Sequence, residues 1–463
     1  MKRLQLILYL FLSVPMRVYF ADAAEPPAAA PAQVTSNCQG PWSLTHQEPS
    51  TCRPYAGSMW TKRLPADIMS HLQPNSKTVM PVWMQSRGGK DSRYWIDLVW
   101  PTPGSADYRG QGLNYGKATD PLYKYTCNAP NHSCSRTNPT TGLYFHLPVG
   151  SSISLVDPGD AWYFAWDQTN DLILEIYRYQ ENVSPDTPMT KIQPCRGTTP
   201  ETACEITLDH SIAGAISRKT TDAAHVRNIS GLGDSLSSAP QALTIRASEM
   251  IDGEINHPLY IVTDCVNDNG NPDGGTAVFP AYPYSGSYGC GAGYIGHPEA
   301  SPYRPYQGNL IFADYTDAQI AAMNIPSHNK IVLRALAHYG AYVGDSSNWS
   351  NPGIFIENYE SMQPYVDAGI KGTDIPIWNW LQKTEGMECS GPDGTTQCKF
   401  NFHVLKGVPD LAGPLCPTTP CSPLHHFHIA DPCVAKGLAG LPGGCGTPAP
   451  IQPKGLTVTG IKH

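Results

Sequence analysis

The chain has 463 residues, 41% hydrophobic and 15% charged, with 42 Gly, 44 Pro, 14 Cys and a formal net charge of −8. Gly and Pro at roughly one residue in five exclude a helical bundle or coiled coil and favour short strands joined by tight turns. A mildly acidic chain lacks the basic surface that nucleic-acid binding requires, so no nucleic-acid partner is expected.

In chain order, Met1-Lys2-Arg3 precedes an apolar run from Leu4 to about Val14, and Ala21-Asp22-Ala23 follows. A basic start, a short apolar stretch and a small-x-small site predict a secretory signal peptide over residues 1–23. Pro15 and Arg17 interrupt the run, so no membrane anchor is expected after cleavage. The expected location is secreted or periplasmic. Residues 24–36 read as a Pro/Ala-rich leader.

Period-two alternation predicts strands over Tyr94–Trp100, Gly142–Val149, Trp162–Trp166, Asp171–Gln180, Gln241–Ala247, Leu259–Val266 and Asn309–Asp314. Helices are expected over Asp317–Met323, capped by Thr316, and over Asn329–Tyr339, with Ser327 as cap and Gly340 as stop. The fold class predicted is all-β: a β-sandwich or jelly-roll-like core over residues 37–384 with two or three short helices. Residues 385–445 read as a disulfide-rich, loop-rich C-terminal extension, and 446–463 as a disordered tail.

The cysteines fall into sequence-adjacent couples: Cys38 with Cys52, Cys127 with Cys134, Cys195 with Cys204, Cys265 with Cys290, Cys389 with Cys398, Cys416 with Cys421, and Cys433 with Cys445. An even count in an exported chain predicts disulfides, and the spacing suggests local staples, although spacing alone does not determine connectivity.

No G-x-S-x-G, H-E-x-x-H or Walker A motif is present, so the candidate chemistry rests on carboxylates. Glu249, Asp345 and Asp167 stand near strand ends and are the candidate catalytic acids, because glycoside hydrolysis needs two carboxylates facing one sugar. The alternative is that Asp167 and Asp345 are turn residues and Glu249 a satisfied structural carboxylate. His257, Tyr282, Tyr284 and Tyr339 are candidate substrate-binding residues. The Tyr/Pro-rich stretch from Tyr282 to Tyr306 suits a glycan platform or, equally, a rigid stapled loop. In the tail, an extended His425-His426-Phe427-His428 would put His426 and His428 on one face, where neutral imidazoles could take a divalent metal. No other cofactor is expected.

Glu249-x4-Glu254-Ile255-x-His257, then Phe279-Pro280-Ala281, then Ala335-Leu336-x2-Tyr339-Gly340-x4-Asp345 resembles the signature of a widespread family of exported, β-rich bacterial proteins of uncharacterised activity. The similarity runs from about Trp60 to Trp380. Ser248 stands where that family usually has Asp, and Tyr282-Pro283 where it often has Arg-His. The resemblance implies export, a β-rich fold and a carbohydrate association. The expected partner is therefore an extracellular polysaccharide or cell-surface glycan, met either by a glycoside hydrolase or by a non-catalytic binding or structural module.

Overall fold

Short apolar runs in the middle and at the end of the chain build one seven-stranded mixed sheet. The computed structural model describes residues 59–87, 93, 95–99, 113–116, 118–127, 144–147, 162–167, 172–177, 196–208, 243–246, 249–250, 253–263, 266–267, 278, 280–281, 304–346, 352–356, 387–389, 398–400 and 402–437. All of them fall within the unit Val34–His463. The strands of the main sheet are β1 (Asp97–Val99), β2 (Leu259–Thr263), β3 (Leu310–Ala313), β4 (Ala341–Ser346), β5 (Gly353–Phe355), β6 (Phe402–His403) and β7 (Phe427–Ala430). Their order across the sheet is β6-β1-β5-β2-β4-β3-β7. The pairs β1/β5 and β2/β4 are parallel and the other neighbours antiparallel.

β2 and β3 are buried at every position, so this part of the sheet is covered on both faces. Alternate residues sort the two sides, as the strand pleat requires. Leu259, Ile261, Ile311, Ala313, Ala341, Val343, Phe427 and Ile429 enter one hydrophobic cluster. That cluster also holds Val79, Met80 and Trp83 of helix α1 (Ser76–Arg87) and Ile331, Val332, Leu333 and Leu336 of helix α3 (Ser327–His338). The intervening Tyr260, Val262, Phe312, Tyr342 and His428 are also buried. On their side Trp60 meets Tyr342 edge-on at 5.1 Å, and Tyr260 stacks on Phe355 at 5.0 Å.

Between β3 and α3 lies the short helix α2 (Asp317–Ala322). Thr316 caps it as expected: its hydroxyl accepts from the Gln319 amide, and the Gln319 side chain accepts from the Thr316 amide. Helix α3 begins at Ser327 with Pro326 as its cap, so Ser327 is the first helical residue rather than the cap. It stops at Gly340, whose φ of +77° suits a residue without Cβ. Asn329 ties α3 to the C-terminal segment by donating to the carbonyls of His403 and Val404.

Strand-rich architecture is therefore present, but the main sheet is mixed and packed by helices. Helix α1 is the unexpected element; it carries Pro81 inside it, which masks the helical pattern in the sequence. The stretch 385–445, expected as a loop-rich extension, supplies both edge strands, β6 and β7, and the short helix α4 (Pro432–Ala435). The boundary expected at 384/385 therefore does not separate a core from an appendage. Of the expected strand 241–247, the described residues 243–246 form no strand and hold one isolated parallel bridge, Ile245 to Ile356.

Two three-stranded sheets make up the described part of 113–208. One joins Leu113–Gly116, Trp162–Asp167 and Leu172–Tyr177; the other joins Tyr144–His146, Leu122–Cys127 and Cys204–Leu208. A further antiparallel pair sets Cys389 opposite Cys398. No helix among the described residues is long and apolar enough to cross a membrane.

Most of the cysteines of the expected staples lie outside the described residues. Cys421 and Cys433 are disulfide-bonded. Cys38, Cys52, Cys134, Cys195, Cys265, Cys290 and Cys445 lie outside the described residues, as do the side chains of Cys127, Cys204, Cys389, Cys398 and Cys416. The couples of Cys38 with Cys52 and of Cys265 with Cys290 therefore fall wholly outside, and those of Cys127 with Cys134, Cys195 with Cys204 and Cys433 with Cys445 fall outside at one member.

A Cβ added at Gly340 would lie 2.8 Å from the Ile311 carbonyl oxygen and 2.8 Å from Leu310 Cδ1. Gly340→Ala is expected to lower stability by about 2 kcal/mol through backbone strain and this overlap, measured as a reduced urea midpoint.

Candidate functional site

Glu249 is placed by a turn that closes on itself. After the Ile245 bridge, the Glu249 amide donates to the Arg246 carbonyl, and Glu249 Oε2 accepts from the Arg246 amide at 2.9 Å. The amides of Gly253 and Glu254 both donate to the Glu249 carbonyl. The carboxylate is thereby turned inward, with 1% of the residue exposed. His257, wholly buried just before β2, brings Nε2 to 3.0 Å from Glu249 Oε2 and Nδ1 to 2.6 Å from the Pro258 carbonyl oxygen. A carbonyl oxygen only accepts, so Nδ1 carries the hydrogen. One proton is then shared between Nε2 and the carboxylate, either as an imidazolium–carboxylate pair or as two neutral groups.

The other candidate acids are placed elsewhere. Asp167, with 0% exposure, ends the strand Trp162–Asp167 and accepts from the His146 amide at 2.6 Å, binding one three-stranded sheet to the other. His146 in turn donates from Nδ1 to the Asp120 carbonyl. Asp345 lies in β4 opposite Val262, just past an irregularity at Gly344; its side chain is outside the described residues, as are Tyr282 and Tyr284. Tyr339 is the C-cap of α3, donates from its hydroxyl to Asn256 and has the Arg63 guanidinium 5.8 Å from its ring centre. Glu249 and Asp167 thus belong to different elements and hold different partners.

A polar cluster that includes a residue absent from the expected set lies between β3 and β7. His428 lies in β7 and His426 just before it, at the end of the turn Pro423–His425 with helical rather than extended dihedrals, and both turn to the Asp314 carboxylate. His426 Nδ1 is 2.5 Å from Oδ1 and His428 Nε2 is 2.8 Å from Oδ2. His426 Nε2 lies 3.0 Å from the Leu411 carbonyl oxygen. The side chains are 1% exposed for each imidazole and 4% for Asp314. Tyr315 stacks on His426 at 4.4 Å, and Phe312 lies 5.3 Å from His428. Burial by itself would raise the Asp314 carboxyl, but hydrogen bonds and charge from His426 and His428 outweigh it and hold the group below its ordinary value. Burial opposes charge on His426 too, yet the bond and attraction to Asp314, with the Leu411 carbonyl, raise it above its ordinary value. His425 is half-buried in the adjoining turn Pro423–His425. Among the described residues, no group of three or more His, Cys, Asp or Glu side chains is arranged to hold a metal ion. What His426 and His428 share is a carboxylate.

A further buried titratable group, Lys436, serves the backbone. Lys436 is 2% exposed and donates from Nζ to the carbonyls of Lys62 and Tyr339. Tyr339 caps α3, so the amine sits at the partially negative end of that helix. Burial, then the charge of Lys62, pushes Lys436 down to about 7. His328 is pushed down to about 3 and Arg304 to about 10, both by burial.

Asp314 was hidden in the sequence because it closes the apolar run Leu310–Ala313 and precedes a helix cap, which reads as a turn aspartate. The signal in the sequence is limited to the His-x-His pair; the acceptor, Asp314, directly follows β3 and is brought there by the pairing of β3 with β7. Lys436 carries no local signal. No family model, curated protein or solved structure matches the chain.

Two outcomes are expected. The Asp314 contribution is present above its ordinary value of 3.8 and lost as pH falls through its lower folded value. The His426 contribution is present below its ordinary value of 6.5 and lost as pH rises through its higher folded value. The stability difference between the native chain and Asp314→Asn should therefore be greatest between these two ordinary values and shrink on either side, as read by denaturant unfolding across pH. Glu249→Ala leaves buried His257 without its carboxylate and should cost about 3–5 kcal/mol, measured the same way.

Proposed function

We propose that the chain is an exported, disulfide-stapled module that binds extracellular polysaccharide without cleaving it. The observation that carries this reading is the position of Glu249: 1% exposed, with its Oε2 held by His257 and by the Arg246 amide. A hydrolytic acid or base must reach a glycosidic oxygen or a water beside it. A carboxylate enclosed by its own turn fits the structural role better. Asp167, with 0% exposure and bound to the His146 amide, fits the same role.

The binding half of the reading rests on side-chain chemistry. With 24 Tyr and 10 Trp against 10 Phe, the chain favours rings that carry a polar tip, which stack on sugars while keeping a hydrogen bond to water. Export rests on the basic-apolar start, the even cysteine count and the resemblance to exported β-rich bacterial proteins. The disulfide-bonded state of Cys421 and Cys433 supports it, and the register that sets Cys389 opposite Cys398 suits that couple as well. What supports a layered strand-rich region is the link between the two three-stranded sheets of residues 113–208, where Asp167 of one accepts from the His146 amide of the other.

The test is co-sedimentation of the purified chain with insoluble cellulose, xylan, chitin and β-glucan, with reducing ends assayed in the supernatant. The expected result is partition into at least one pellet with no release of reducing ends. Release that disappears in Glu249→Gln would make the protein a glycoside hydrolase and end the non-catalytic reading; failure to bind any of the polymers would end the glycan reading.

A further inference from the structure

We propose that the hairpin formed by Leu411–Gly413 and Cys416–Cys421 is a strap whose inner strand is fastened to the main sheet by doubly protonated His426 and loosens when that ring loses a proton. This is independent of the glycan reading.

The argument begins with donor counting. His426 Nδ1 faces a carboxylate oxygen of Asp314 and Nε2 faces the carbonyl oxygen of Leu411. Neither partner carries a hydrogen, because Asp314 is held below the usual carboxylate range by its two imidazoles against the opposing effect of burial. Both contacts therefore need an N–H on the ring, which only the imidazolium has. A neutral imidazole can keep one of the two and leaves a lone pair facing an oxygen at the other. The carboxylate is the stronger acceptor, so the contact surrendered is the one to Leu411.

The surroundings confine the response to the hairpin. Tyr315 stacks on one side of the ring, with an interplanar angle of 22°. Gly413 of the hairpin packs so closely that a Cβ there would lie 2.5 Å from His426 Cε1 and 2.9 Å from Nδ1. The charged and titratable groups around the ring are Asp314 and His428 from β3 and β7, Tyr315, His425 of the preceding turn, and the Arg93–Asp410 ion pair, which acts on Tyr315. Leu411–Cys421 itself contains no charged residue. The inner strand is otherwise held by its pairing with the outer strand, by half-buried Leu411 against the edge of the hydrophobic cluster, and at Ala412, whose carbonyl accepts from the exposed Gln319 side chain. The outer strand ends at buried Cys421, which leads through the turn Pro423–His425 into β7, and stays tethered. The motion inferred is a local opening of the inner strand, with the sheet intact.

Amide hydrogen exchange of the full chain, corrected for intrinsic rates, tests this at about pH 5.5 and about pH 8.5. Residues 411–413 should lose protection by about tenfold at the higher pH while β3 and β7 do not. His426→Gln, which keeps a neutral donor but cannot titrate, should abolish the pH step. A direct reading in the unsubstituted chain is the nitrogen NMR of His426, which should show both ring nitrogens protonated at the lower pH. Protection that is equal at the two pH values, a pH step that survives in His426→Gln, or a His426 ring with one bare nitrogen at the lower pH would each overturn the proposal.

Discussion

The burial of β2 and β3 along their whole length is the constraint from which the rest of the described structure follows. A strand that faces water on one side can stand alone at the surface of a sheet; one that is apolar on both sides cannot. Leu259, Ile261 and Ile311 need the cover of α1 and α3, while Tyr260, Val262 and Phe312 need cover on the other side. β4 supplies the hydrogen-bond partners between these two strands, β5 closes the other edge of β2, and β7 closes the outer edge of β3. The helices, the turn at Gly340 and the tail are thus parts of one solution to a single burial problem.

That solution encloses several ionisable groups, and each is handled by partners within the fold. Glu249 and His257 share a proton; Asp314 receives two imidazoles; Lys436 donates to two main-chain carbonyls. Ionic groups taken from water lose several kcal/mol of solvation each, which the mutual attraction offsets only where geometry is good and the remaining donors are satisfied. These clusters therefore add little net stability while making departures from this arrangement costly. They fasten segments far apart in sequence: Lys62 with Lys436, and Asp314 with His426. In this chain buried charge serves mainly to specify which segments meet.

Local signals were legible where the local rule also decides the structure. Thr316 and Gln319 form a capping box whose pattern needs no tertiary context, and Gly340 marks the end of α3 because only a residue without Cβ fits there. Strands Trp162–Asp167 and Leu172–Tyr177 fall where aromatic and β-branched residues cluster. Leu259–Thr263 and Leu310–Ala313 were also legible as strands, but not as strands of a helix-covered sheet, since a short apolar run does not reveal how many of its faces are buried. Helix α1 was concealed by Pro81, and β6 by its two-residue length. The candidate site was legible in part. Glu249 and His257 were each singled out but not as partners of one another, and His426 and His428 meet at one carboxylate, although His426 is not extended and the carboxylate comes from a segment more than a hundred residues away.

The tail is where these constraints converge. β7 lies at the edge of the sheet, and an edge strand presents a row of unpaired main-chain groups to any passing chain. Here the strand is flanked by disulfide-bonded Cys421 on one side and Cys433 on the other. Its inner edge pairs with β3, and the Ala430 end is bridged by Leu72 on a third segment. Beyond it, Lys436 anchors the chain to the end of α3. Such fastening would suit the proposed export, since disulfides persist in oxidising compartments. It also explains why a region whose composition reads as loose connection is well packed: Pro and Gly set the turns, while a few buried residues, Phe427, Ile429 and Cys433 among them, hold the segment to the core.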